Sequence, residues 1–460
     1  MFSLLASSSV RPTPSLHILS SRVGREQVRH ATKKAGGNRQ VLASKTTKLQ
    51  KGFRMKKKDK TEKPKMAHDG VWYMKPMADS KLKAPLFQEP RAVLEYPVFR
   101  PEEMTANLSL GKARSFPPTA TKMFKTYGVP RNVLVDFRVL SSPTSVVRDV
   151  TLRLADQLDK AVKSPSTETR LVFTGSAGNG KSYLMLQAIA YAKSIGYLVV
   201  YVPRASRLVD SSTAYVYDAR TQTYAQPKYS SSLLSRILTV NDSSLQQLKL
   251  HKDFLADDGS VRLHKGSPLV DLIDLGVRDA SVAHVVLSAV FEELAKQTQF
   301  PVLLAVDDFQ SFFNPTTLYR NPSYGLIKPY HLSLPRLLME YSSHHKGFAR
   351  GAVIGAVSGS NTNWPVTLEL QEALGLSTPR PVNEYAKRSD NLQYYAEGLK
   401  NFPVPEKLTL DEAASIYDMW HKDNALHTHA NDELFLSKYT EACGNARKFV
   451  WEGLLRTLVT

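Results

Sequence analysis

Eight consecutive residues, Gly175-Ser176-Ala177-Gly178-Asn179-Gly180-Lys181-Ser182, constrain this chain more than any other feature. Gly, four residues, then Gly-Lys-Ser is a phosphate-binding pattern, and here it has the context the pattern requires. A short apolar strand, Leu171 to Thr174, precedes it, and a helical run from Lys181 to about Ile195 follows. The glycines let the backbone curl so that successive N–H groups face a β-phosphate. Lys181 sets a point charge between the β- and γ-phosphates, the Ser182 hydroxyl suits Mg²⁺, and the helix N-terminus adds its partial positive charge. The octet and the adjoining Tyr183 are therefore expected to hold a purine nucleotide, ATP or GTP or their diphosphates, together with Mg²⁺.

A second apolar strand, Val302 to Val306, ends in Asp307-Asp308. A strand this apolar belongs inside a sheet, with its end beside the phosphate loop. Asp307 is then the Mg²⁺ partner of Ser182, and Asp308 the carboxylate that would polarise an attacking water. Motor-type ATPases of this plan usually carry Glu at that place. Asp is one methylene shorter, so hydrolysis is expected to be slow or absent. A third strand, Ala352 to Val357, leads into Ser358-Gly359-Ser360-Asn361, where Ser358, with Asn361 in reserve, is the candidate γ-phosphate sensor. A GTPase would show Asp-x-x-Gly after its second strand and Asn-Lys-x-Asp for guanine; neither pattern is present.

The remaining periodicity fills in an α/β plan. Apolar residues from Val146 to Val162 recur at helical spacing, giving an amphipathic helix over about 144–163. Tyr197 to Val202 reads as a strand, about Ser281 to Gln297 and Leu334 to Tyr341 as helices. Four buried strands alternating with helices make a doubly wound parallel-sheet, P-loop NTPase domain of AAA-like type over 143–375. Residues 205–278 look like an insertion, with a hairpin or loop around Tyr215 to Tyr224 and short helices near Ser231 to Ile237 and Ser243 to His251. Residues 376–460 read as a helical lid domain, in which Thr409 or Asp411 caps the helix Ala413 to His421 and a last helix runs from about Asn445 to Leu458. Within Gly444-Asn445-Ala446-Arg447, Arg447 is either a lid arginine that reaches the phosphates or a surface arginine at a helix start. Residues 67–142, rich in Pro and aromatic residues, read as extended, partner-contacting chain with short local elements.

Composition matters most at the N-terminus. The chain carries a formal net charge of +19 over 460 residues. Residues 1–66 hold 17 basic and 3 acidic side chains, the rest 44 and 39, so the excess sits in a tail. Residues 1–32, with dispersed Arg, many Ser and a single acid, have the composition of a mitochondrial transit peptide. Residues 33–66 read as a disordered basic extension, either suited to RNA phosphates through counterion release or an inert solvated tail. Cys443 is the only cysteine, which excludes an intrachain disulfide or a Cys-based zinc site. The apolar stretches fall far short of the roughly 20 residues a membrane-spanning helix needs, so no membrane insertion is expected.

The leader, the loop Gly175 to Ser182, the strand ending in Asp307-Asp308 and the motif Gly444 to Arg447 together resemble the death-associated protein family, the P-loop proteins of the mitochondrial small ribosomal subunit. The similarity covers roughly residues 90–460. It implies a structural component of that subunit, in the mitochondrial matrix, that touches ribosomal RNA and neighbouring small-subunit proteins and helps join the subunits through large-subunit proteins. The competing reading from the residues is an active AAA-like ATPase, a loader or remodelling factor acting on nucleic acid.

Overall fold

The computed structural model describes residues 94–255, 261–377, 383, 385–426 and 428–458. The leader 1–32, the basic extension 33–66, the first part of the segment 67–142, and His427 lie outside the described residues.

At the centre is a five-stranded sheet. Its strands are β1 (Arg170–Thr174), β2 (Leu198–Val202), β3 (Val302–Asp307), β4 (Gly351–Ala356) and β5 (Lys400–Pro403), all parallel, in the order β5-β1-β4-β3-β2. Every residue of β1 to β4 is buried. These strands are therefore covered on both faces, which is why they read as unbroken apolar runs. The register aligns Ala356 with Asp307 on one side and with Phe173 on the other. The chain thus leaves β1, β3 and β4 at the same sheet edge, and this places the glycine loop, the acid pair and Ser358 together.

The helix α1 (Lys181–Ser194) leaves the glycine loop and is buried on most of its circumference, including Leu184, Met185, Leu186, Ile189 and Ala190, as a central helix must be. The helix before β1, α2 (Asp149–Ala161), is shorter than the sequence suggests because Thr144–Val146 forms a short antiparallel pair with Ala113–Ser115.

Four further expectations need correction. Residues 118–139 are not extended: Pro118–Tyr127 and Arg131–Val139 are helices, and Phe124 and Tyr127 of the first, with the preceding Phe116, belong to the main core. The two short helices expected within 231–251 do occur, joined across a kink at Asn241 within Pro227–Leu245, but the first begins earlier, at Pro227, and the second ends at Leu245 rather than His251. At the kink the Asn241 side chain accepts from Val199 N at 3.0 Å and donates to Val199 O at 2.9 Å. It thereby pairs the outer backbone groups of the edge strand β2. A helix Leu269–Arg278 was not expected, and Leu233, Leu234, Leu272 and Ile273 of the supposed insertion belong to the main core. Finally, residues 376–460 are not wholly a helical lid, since Lys400–Pro403 joins the central sheet as β5. That strand is polar, short and at the sheet edge, with Pro403 at its end, so no apolar pattern announces it.

A second, smaller core forms among the C-terminal helices around Trp420, Met419, Phe449 and Leu454, joined by Val139 and Leu140. Thr409 caps the helix Leu410–Lys422 as expected, accepting from Glu412 N at 3.2 Å while Glu412 accepts from Thr409 N at 3.1 Å, a reciprocal pair that satisfies two orphan donors. The hairpin Val216–Asp218 with Thr223–Ala225 is also as expected. Among the described residues no helix is long and apolar enough to cross a membrane.

Candidate functional site

The glycine loop is held by chain segments far from it in sequence. Gly175 and Gly178 have φ of +127° and +85°, values L side chains rarely adopt. A Cβ on Gly175 would lie 2.4 Å from Asn179 Nδ2, and one on Gly178 would lie 2.6 Å from Asn445 Oδ1 and 2.7 Å from Arg447 Cβ. Both close approaches accompany hydrogen bonds to the loop. Asn179, almost fully buried, donates to Val404 O just after β5 at 3.1 Å. Asn445 donates to Ala177 O at 2.9 Å, and Arg447 N donates to Gly178 O at 2.9 Å. The motif Gly444 to Arg447 therefore docks directly on the loop.

Lys181 is buried and its ammonium donates to Gly175 O (2.9 Å), Ser176 O (2.7 Å) and Asn179 Oδ1 (2.9 Å). Burial pulls its pKa down to about 8, against the attraction of Asp307. Ser182 Oγ donates to Asp307 Oδ2 at 2.9 Å, which joins the two residues expected to share a cation. Burial, and then the neighbouring Asp308 carboxylate, push the Asp307 pKa up, while hydrogen bonds from Ser182 and the Asp308 N–H and the charge of Lys181 act in the opposite direction. A buried carboxylate held above its ordinary range is one that a cation would stabilise in its charged form.

Asp308 has a different position. Its backbone is left-handed, with φ 57°, and its Oδ2 accepts from Ser206 Oγ at 2.8 Å. Asp307 lines the cavity beside the loop; Asp308 does not. Ser358 lines that cavity and exchanges backbone hydrogen bonds with the Gln310 side chain, donating to Oε1 at 3.0 Å and accepting from Nε2 at 2.9 Å. Asn361 sits in the following turn and is not among the lining residues. Tyr183 also lines the cavity, and its OH donates to Asp136 Oδ2 at 2.8 Å. Arg447 lines the cavity, and with the Asn132 amide oxygen facing it, its Nε and Nη2 both donate to that oxygen.

Two participants are not evident from sequence. Arg148, placed just before α2, donates from Nη1 to Asn179 O (2.9 Å), from Nη2 to Lys407 O (3.1 Å) and from Nε to Glu412 Oε2 (3.1 Å). It fastens the loop to the C-terminal helices. Read from sequence it is one more charge at the start of an amphipathic helix; one partner lies 31 residues away and the other two more than 250. Asp136 is the other. Burial raises its carboxyl pKa to about 7, against hydrogen bonds from Tyr183 and Trp451 and the charge of Arg447. The cavity, about 210 Å³, runs from the loop past Asp136 to Trp420 and Trp451. Among the described residues no cluster of His, Cys, Asp or Glu is arranged to hold a metal by itself.

Residues 145–451 match the sequence profile of the family described as mitochondrial ribosomal death-associated protein 3. Curated relatives include a Neurospora crassa protein named small ribosomal subunit protein mS29, 23% identical over 74% of this chain and 74% of that protein. A Schizosaccharomyces pombe protein of the same name is 23% identical over 76% of this chain and 72% of that protein. A Bos taurus protein, again of that name, is 25% identical over 45% of this chain and 53% of its own length.

Proposed function

The chain belongs to the mitochondrial ribosomal death-associated protein 3 family, and from that premise we propose that it is a component of the small subunit of the mitochondrial ribosome, working in the matrix. The observation that carries this reading is the family match over residues 145–451, reinforced by relatives that bear a small-subunit name over about three quarters of the chain. The basic extension 33–66 would neutralise ribosomal RNA phosphates, with neighbouring small-subunit proteins, and large-subunit proteins at the subunit interface, as the further partners.

The glycine loop is read as a P-loop NTPase-type site for a purine nucleotide. What supports this is the convergence, at one sheet edge, of a curled loop, a buried ammonium and a hydroxyl–carboxylate pair. Ser182 and Asp307 offer hard oxygen ligands, as Mg²⁺ prefers, and usually one or two protein ligands suffice for that ion. Bound there, Mg²⁺ would neutralise charge shared by the β- and γ-phosphates. Lys181 would share its donors between loop carbonyls and phosphate oxygens, Ser358 would face the terminal phosphate, and Arg447 would close the cavity from the C-terminal side. Asp308 is engaged by Ser206 rather than facing the cavity, so water activation is withheld. The nucleotide then serves as a retained structural ligand that stabilises the fold by mass action.

The test is sedimentation of the tagged chain from a mitochondrial lysate. Co-migration with small subunits, persisting at moderate salt, is the expected result; a free protein peak, or migration with DNA-processing complexes, contradicts it.

A further inference from the structure

A second cavity, about 260 Å³, shares no lining residue with the first. It lies among the hairpin 216–225 and the helices Pro227–Leu245, Ala283–Lys296 and Ser333–Ser342. Three polar side-chain atoms that line it have no hydrogen-bond partner: Ser230 Oγ, His284 Nδ1 and Ser333 Oγ. Ser230 is fully buried. Leaving a buried polar atom without a partner is costly, so two hydroxyls and one imidazole nitrogen around one cavity point to a ligand that satisfies them together. Each also sits in the first turn of its own helix, since Ser230 is the fourth residue after Gln226, His284 the second of its helix and Ser333 the first. Ser230 N donates to Gln226 O at 3.0 Å, whereas the N–H groups of the first three helical positions lack intrahelical acceptors, and three helix N-termini around one cavity favour negative charge.

Arg220 and Arg336 add two cations to the lining. The acids here, Glu340 of the lining and Asp218 beside it, already have partners. Glu340 accepts from Arg336 Nε at 2.9 Å and from Lys346 Nζ at 2.7 Å, and Asp218 accepts from Thr221 Oγ1 at 2.8 Å and faces His284 Nε2 at 3.3 Å. With Nε2–H directed at Asp218, Nδ1 is the ring atom left for the cavity. It can accept from a P–OH when the ring is neutral and donate to a phosphate oxygen when the ring is charged.

We propose that this cavity is a binding site for a phosphate group, either inorganic phosphate or the phosphate of a small phosphomonoester, held by Ser230, Ser333, His284, Arg220 and Arg336. The site is independent of the glycine loop and of the reading given to it.

The test uses full-length Lys181→Ala protein, in which phosphate cannot be held by the glycine loop, dialysed to equilibrium against labelled inorganic phosphate. One phosphate per chain is expected, and the added pair Ser230→Ala and Ser333→Ala should weaken it at least about tenfold, because two hydrogen bonds to a charged group are removed. The pair deletes orphaned hydroxyls, so the melting temperature of the phosphate-free protein should stay the same or rise. Arg220→Gln, at the exposed rim, should weaken binding about fivefold or more in a protein whose core is untouched. Displacement of the label by ribose 5-phosphate more strongly than by unlabelled phosphate identifies a phosphomonoester site; equal or weaker displacement identifies a site for the free ion. Absence of binding at about 10 mM phosphate, indifference to the serine pair and to Arg220→Gln, or equal displacement by acetate would overturn the proposal.

Discussion

The sheet and the C-terminal helices are held by different forces. In the sheet, β1 to β4 are wholly buried and belong to one extended apolar core. The C-terminal helices have their own small core around Trp420 and Phe449, and meet the glycine loop through polar contacts: the Arg148 fork, Asn179 on Val404, Asn445 on Ala177, and Arg447 N on Gly178. Apolar burial is non-directional, whereas a fork of guanidinium hydrogen bonds fixes one geometry. The difference teaches where the molecule is adjustable. The sheet will tolerate little, and the loop is the joint between it and the C-terminal helices.

The largest expected effect comes from cutting that joint. Arg148→Ala leaves Glu412, 7% exposed at its side chain, without its cation, and breaking such a buried pair costs about 3–5 kcal/mol. Urea unfolding should show this loss, and amide exchange should rise first in 410–454 while β1 to β4 stay protected. Arg148→Lys should rescue little, since an ammonium cannot span three acceptors set by a planar fork. Uniform loss of protection across both regions would mean they are one cooperative unit.

Gly178→Ala should have the next effect. Its positive φ alone costs about 1–2 kcal/mol, and the new methyl would meet Asn445 and Arg447 at under 3 Å. Gly196→Ala is the control, with φ 91° but nothing within 4 Å of the added carbon. Thermal unfolding should rank Gly178→Ala clearly below Gly196→Ala; equal losses would show that the C-terminal segment yields freely.

The same contrast explains what could be read from sequence. The octet, the strand ending in Asp307 and the turn at Ser358 are local patterns, and because parallel strands end at a common edge, recognising them also places them together. Arg148, Asp136, β5 and the docking of Asn445 on Ala177 depend on contacts across 31 to 268 residues, and no local periodicity encodes those. Residues 118–139 misled for another reason. Pro118 and the Pro130 that precedes Arg131 start helices rather than prevent them, since proline's fixed φ suits a first helical turn.

A smaller effect concerns pH. The Asp136 carboxyl rises from 3.8 to about 7 in the fold, so the folded chain retains a proton the unfolded chain gives up. Its stabilising contribution is fully present below pH 3.8 and is lost as pH climbs to about 7. The slope cannot exceed about 1.4 kcal/mol per pH unit for this single group. Asp136→Asn should flatten stability over that window, measured by urea unfolding at a series of pH values; an unchanged slope would assign the dependence elsewhere. The smallest effect is expected at Asp308, where Asp308→Asn should change nucleotide retention less than about twofold, because the group touches Ser206 and not the cavity.

The central claim is that the glycine loop holds a purine nucleotide as a lasting part of the structure. Acid release and chromatography of the nucleotide bound to the purified full-length chain, beside Lys181→Ala, tests it directly. The account predicts close to one purine nucleotide per wild-type chain, surviving extensive dialysis in Mg²⁺, and almost none in the variant. Equal content in the two proteins, or a wild-type chain that carries none and binds none on titration, would contradict it.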